Sequence, residues 1–160
     1  MISREEIEAG LDKAKELMAD IGLDSDVTYE DFVGWFESEV PVPDVTIGEV
    51  VIDPLLVVHE LAEIHEVLMM GLELSKEVLA SNRDKVDTAH RKATATDLIV
   101  ARSINAIEHI GRRANELEKS CANKTLPENV RAEYRRLLAL TKQSLSDLEK
   151  KRLPSPPRSR

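Results

Sequence analysis

The chain has few aromatics, a single cysteine, a single glutamine and no long hydrophobic run. Aromatic residues are 3% of its 160 positions, so any core must be built from Leu, Ile, Val, Met and Ala. That material favours packed helices over a β-sandwich, whose strands draw on aromatic and β-branched residues. The lone Cys121 excludes an intramolecular disulfide. Apolar runs are short and interrupted by charge, and Met1 to Gly22 is acidic and amphipathic. Neither a signal peptide nor a membrane span is therefore expected, and the expected location is the cytoplasm. Basic clusters are missing too: the formal net charge is −8, and the one basic stretch is the short tail Arg152 to Arg160. Phosphate neutralisation needs clustered Lys and Arg, so nucleic acid is not an expected partner. Gln143 is the only glutamine while charged residues are 32%, a balance shared with proteins from hot environments.

What is present is aliphatic and periodic. Hydrophobic residues are 42%, and a chain of this length fits one domain, which buries roughly 70% of the surface its unfolded chain exposes. Ser3 followed by Glu6 reads as a capping box. Ile7, Leu11, Ala14, Met18 and Ile21 follow at helical spacing, with Gly22 as a stop, which predicts a helix over about 4–21. Thr28 and Asp31 open a short second helix carrying Phe32, Trp35 and Phe36, three of the five aromatics. It can serve as a hydrophobic plug at one end of the fold or as a lid that docks a partner.

Between Pro41 and Asp53 the pattern turns least helical. Val45-Thr46-Ile47 and Val50-Val51-Ile52 flank Gly48-Glu49, which suggests a small β-hairpin over 45–52. Asp53-Pro54 is a helix start, with Asp as N-cap and Pro in the first turn. The helix after it is expected to reach about Ala80, to turn tightly at Ser81 to Asp84, and to be followed by a long helix over about 85–120. Thr125 and Pro127 start a last amphipathic helix, ended by Pro154 and Pro156-Pro157. The expected fold is thus all-α, an antiparallel bundle of four main helices plus the short aromatic-bearing one. It occupies 1–153 as a single helical domain, with 154–160 a disordered basic tail. A homo-oligomer, most simply a homodimer, is the expected assembly.

All four histidines, His59, His65, His90 and His109, fall on the two central helices of this scheme. His59, Glu63 and Glu66 stand at i, i+4 and i+7, one stripe, with Glu60 a quarter turn away. His90, Asp97 and Glu108 lie along one edge of the apolar stripe Ala93, Val100, Ile104 and Ile107. A turn centred near residue 83 brings residue 59 level with 107, and so sets His59, Glu60 and Glu63 against Glu108 and His109. Imidazoles and carboxylates projecting from facing helices are how bundles hold divalent metals. The candidate ligands are Glu60, Glu63 and Asp97, then His59, Glu108 and His109. The same acids can instead form a solvated face neutralised by Arg102, Arg112 and Arg113. Against that, apolar residues flank the stripe, and a carboxylate on a central helix needs a cation nearby.

The run Val57-Val58-His59-Glu60-Leu61-Ala62-Glu63-Ile64-His65-Glu66 resembles the opening motif of the all-α nucleoside triphosphate pyrophosphohydrolases, the MazG-like superfamily. The resemblance covers about residues 55–110. Glu60 and Glu63 match that family's ExxE. Asp97 matches the Asp of its later ExxD, with Thr94 in the place of the Glu and His90 available as a substitute ligand. It implies Mg²⁺ or Mn²⁺ held by Glu60, Glu63 and Asp97, a nucleotide as the bound partner, and cations from Arg83, Lys85, Arg91 and Lys92 for its phosphates. A second resemblance is to the zincins. His59-Glu60-Leu61-Ala62-Glu63 is similar to HExxH with Glu in place of the second His, which implies Zn²⁺ on His59, Glu63 and His109 with Glu60 as general base. Arg102 and His109 are loosely similar to the Arg and His of the HEPN ribonucleases. The remaining reading is a non-catalytic helical interaction or scaffold protein, with an acidic surface that repels nucleic acid and membranes alike.

Overall fold

The computed structural model describes residues 2–39 and 45–153 and is helical throughout, with no strand among the described residues. Eight helices follow one another in the described residues: α1 Arg4–Ala19, α2 Tyr29–Glu37, α3 Ile47–Val51, α4 Pro54–Met69, α5 Lys76–Ser81, α6 Arg83–Ser103, α7 Ile107–Ala122 and α8 Glu128–Arg152. They group into two compact units, 1–100 and 101–160. The sequence pattern suggests one domain over 1–153; the expected tail, 154–160, lies outside the described residues.

Local chemistry accounts for most helix starts in the first unit. Ser3 with Glu6, Thr28 with Asp31, and Thr46 with Glu49 each form a complete capping box, each satisfying two otherwise orphaned N–H groups. The third box explains why the stretch around Gly48 is a helix, α3, and not the hairpin suggested by its β-branched residues. Thr46 and Glu49 cap a helical turn there, and Asp53 at once caps the next helix by accepting from the Leu55 N–H at 3.0 Å. Local capping outweighed β-propensity, which is context-dependent to begin with. The close approach of α1 to α3 depends on Gly10: a Cβ there would stand 3.2 Å from both Cβ and the carbonyl oxygen of Val51.

The core of this unit is aliphatic around two aromatics. Ile7, Leu11, Ala14 and Met18 of α1 pack towards α4, whose Val57, Val58, Leu61, Ile64 and Val67 are buried on nearly every side. Phe32 and Trp35 of α2 are fully buried beside them, each contributing roughly 1.5–3 kcal/mol of apolar burial. The short aromatic helix is therefore built into the core of its unit.

The expected long helix after Pro54 is in fact two. α4 ends at Met69 because Gly71 takes φ 75°, and the Gly71 and Leu72 N–H groups close on the carbonyls of Leu68 and Val67 in a Schellman motif. The loop to Ser75 and helix α5 then separate α4 from α6. Likewise the expected helix over 85–120 breaks after Ser103, where Asn105 adopts φ 57°, and α7 starts afresh.

In the second unit α7 and α8 form an antiparallel hairpin across the Asn123–Pro127 connection. Thr125 donates its N–H and hydroxyl to Asn123 Oδ1 in the turn, and Lys142 Nζ stands 2.8 Å from Glu118 Oε1 across the pair. Among the described residues, no helix is long and apolar enough to cross a membrane.

Candidate metal centre

Two helices of the first unit supply the chemistry. α4 carries His59, Glu60 and Glu63, so that positions i and i+4 share a face; α6 carries His90 and Asp97 seven positions apart, also on one face. Where these faces meet, three donor atoms converge. His59 Nε2 lies 3.2 Å from Glu63 Oε2 and 3.2 Å from His90 Nδ1, and His90 Nδ1 lies 3.2 Å from Glu63 Oε2. The three atoms form an equilateral triangle. Ligands about 2.0–2.1 Å from a tetrahedral ion stand about 3.3 Å from one another, so the spacing fits a bound first-row metal as well as direct hydrogen bonds among the three.

A fourth residue orients the first. His59 Nδ1 is 2.8 Å from Asp97 Oδ2, and the Asp97 side chain is wholly buried. With the Nδ1–H donated to Asp97, His59 Nε2 donates to Glu63 when the ring is protonated and presents a lone pair once that proton is lost. An imidazole backed by a carboxylate is the usual outer-shell arrangement of metal-ligating histidines. With the Nε2 proton lost, the donor atoms of His59, Glu63 and His90 are grouped so that they could hold a metal ion.

Burial differs across the three donors. The side chains of His59 and Glu63 are 5% and 4% exposed, whereas that of His90 is 44% exposed, so the centre reaches solvent on the α6 side. Burial acts to raise the Glu63 carboxyl, but hydrogen bonds from His59 and His90 outweigh it and hold the group down at about 2. Glu60 goes the other way: burial pushes its carboxyl above the ordinary range, and the charge of His59 only partly offsets this. Its Oε2 accepts the indole N–H of Trp35 at 2.8 Å.

The structure thus brings together His59 and Glu63 from the sequence candidates, with Asp97 directly behind His59. Glu60 stands one residue along α4 with its carboxylate on Trp35. Glu108 and His109 sit in the second unit, at the start of α7, Glu108 exposed and His109 buried. Glu66, third in the α4 stripe, is bound by Lys92 Nζ at 2.6 Å. His90 is the third member of the donor triangle in place of His109. The sequence signal for it was its seven-residue spacing from Asp97; what misdirected the pairing was the position of the turn. Trp35 carried no sequence signal for its contact with Glu60, because nothing local links residues 35 and 60.

No family model matches this chain, and no curated protein or solved structure matches it either.

Proposed function

We propose that this protein is a divalent-metal-binding helical protein whose ion is held by His59, Glu63 and His90 and put to hydrolytic use. The observation that carries the reading is the 3.2 Å donor triangle backed by Asp97. Two imidazoles and one carboxylate suit zinc, manganese or iron, while Mg²⁺ prefers all-oxygen surroundings and retains its waters. Three protein donors leave a position for water or substrate, the pattern of catalytic zinc sites, where structural ones close all four. An ion in such a site lowers the pKa of its water and supplies a nucleophile at neutral pH.

The zincin-like reading gains most from this geometry, with His90 in the place first given to His109. The pyrophosphohydrolase reading, which needs Mg²⁺ or Mn²⁺ on Glu60, Glu63 and Asp97, is supported by the placement of Glu63 and Asp97 on facing helices. It is weakened by the Trp35 contact of Glu60 and the His59 contact of Asp97.

Thermal unfolding after EDTA treatment, with Zn²⁺, Co²⁺, Mn²⁺ or Mg²⁺ restored singly, tests the proposal. Metal at about 100 times its Kd adds about 2.7 kcal/mol, a rise of about 5–10 °C for a chain of this size. Zn²⁺ or Co²⁺ is expected to give that rise, Mg²⁺ little, and Glu63→Ala to remove it with helical content intact. No shift with any ion sinks the metal reading and leaves the non-catalytic interaction module.

A further inference from the structure

Two neighbouring clefts of the first unit share no residue with the donor triangle. One, of about 200 Å³, is walled by Met18 of α1, Ala62 and Glu66 of α4, and Thr96 of α6. The other, of about 400 Å³, lies along α1 and is walled by Asp12, Glu16 and Ala19. Leu23, Asp24 and Ser25, in the loop after α1, line both.

The charge here is negative. Asp12 and Glu16 stand at i and i+4 on α1, an unfavourable spacing for like charges. The last turn of α1 holds no basic residue, although the helix dipole favours cations at that end. The ammonium groups nearby are engaged elsewhere: Lys15 Nζ donates to the Val27 carbonyl at 2.7 Å, and Lys92 Nζ is on Glu66. Asp12, Glu16 and Asp24 form no ion pair among the described residues. Between the two clefts, Ser25 Oγ is buried and has no hydrogen-bond partner among the described residues. A buried hydroxyl left so is costly until a partner is supplied.

A metal ion needs donors that converge on one point. Among the described residues, the histidine and acidic side chains that converge in this way are His59, Glu63 and His90, not the acids of the clefts. Carboxylates strung along a groove, with apolar side chains between them, match instead a cation whose charges are spaced along a chain.

We propose that the paired clefts bind a linear aliphatic polyamine. Its ammonium groups lie on Asp12, Glu16 and Asp24, its methylenes lie against Met18, Leu23 and Ala62, and the Ser25 hydroxyl turns to accept one N–H. The proposal is independent of the metal reading.

The test uses the metal-free full chain at about 0.15 M salt, where loose attraction to net charge is screened. Spermidine, butylamine and Mg²⁺ are titrated separately and followed by amide NMR shifts. Spermidine is expected to move the Leu23, Asp24 and Ser25 amides at about one-tenth the concentration of the other two, because its linked ammonium groups bind together. Asp24→Asn is expected to weaken it about three-fold, the scale of one exposed ion pair. Glu149→Gln, an equal charge change on α8, is expected to leave it unaltered. Ser25→Ala is expected to weaken spermidine without lowering the melting point of the free protein, since the hydroxyl it removes has no bond to lose. Equal responses to the three probes, or an equal loss with Glu149→Gln, would mean attraction to net charge only and overturn the proposal. So would spermidine binding that neither Asp24→Asn nor Ser25→Ala weakens, or no response to spermidine at millimolar concentration.

Discussion

His59 and Asp97, thirty-eight positions apart, share a buried bond of 2.8 Å in which the imidazole Nδ1–H is donated to a carboxylate with no solvent exposure. That bond selects the tautomer of His59 and aims its Nε2 at Glu63 and His90. Asp97→Asn keeps the shape but can offer an N–H where the carboxylate accepted one, which favours the wrong tautomer. Metal affinity is expected to fall about 10–100-fold, read by competition with a chromophoric chelator. A loss smaller than about three-fold would make Asp97 a packing residue only.

His59 and His90 should separate in their effects. His90 is half-exposed, so His90→Ala is expected to abolish tight metal binding while changing the stability of the metal-free protein little. His59→Ala should do both, because it removes the buried imidazole that bonds to the wholly buried Asp97. Breaking a buried pair costs about 3–5 kcal/mol. Denaturant unfolding in EDTA distinguishes the two variants, and equal stability losses would contradict the burial difference.

Glu63 sets an acid limit on the metal-free fold. Its carboxyl is held at about 2 in the folded protein, against an ordinary value of 4.5. A depressed folded value means that its contribution is complete above about pH 4.5 and is lost as pH falls towards 2. The size is on the order of 3 kcal/mol. Metal-free wild type is expected to lose stability steeply over that window, and Glu63→Gln to flatten the slope. A variant with the same slope as wild type would place the acid sensitivity elsewhere.

Glu60 has the opposite sign. Burial raises its folded carboxyl above the unfolded value, so its favourable contribution is complete below about pH 4.5 and is lost as pH rises through the folded value. Glu60→Gln keeps an oxygen to accept the Trp35 N–H and removes a charge from a partly buried site. The metal-free variant is expected to melt higher than wild type at pH 7–8, with little difference near pH 4. Melting curves across that range decide it; a lower melting point at pH 8 would mean that the charge is stabilised by something other than Trp35.

Much of the helical pattern was readable because its signals are local. Ser3, Thr28 and Asp53 marked helix starts correctly, and the i, i+4 spacing of His59 and Glu63 placed both on one face of α4 before any tertiary contact was known. The β-branched residues of 45–52 suggest a hairpin, but the Thr46–Glu49 capping box makes the stretch α3. Gly71 ends α4 inside an apolar run whose periodicity otherwise reads as continuous helix. That break moves the partner of His59 by ten positions, from the expected residue 107 to Asp97.

By itself, then, the sequence determined what short-range physics controls: a predominantly helical chain, most of its capped starts, and a histidine–glutamate stripe along one side of an apolar-flanked helix. Only the tertiary structure decided which residues that stripe would meet. Pairing between helices depends on where the chain turns and how far the connection runs, and a shift of a few residues exchanges one set of side chains for another. His90 instead of His109 in the triangle, Asp97 behind His59, and Trp35 holding Glu60 all follow from that register. No local pattern encodes it, because it is set by the packing of whole helices against a shared core.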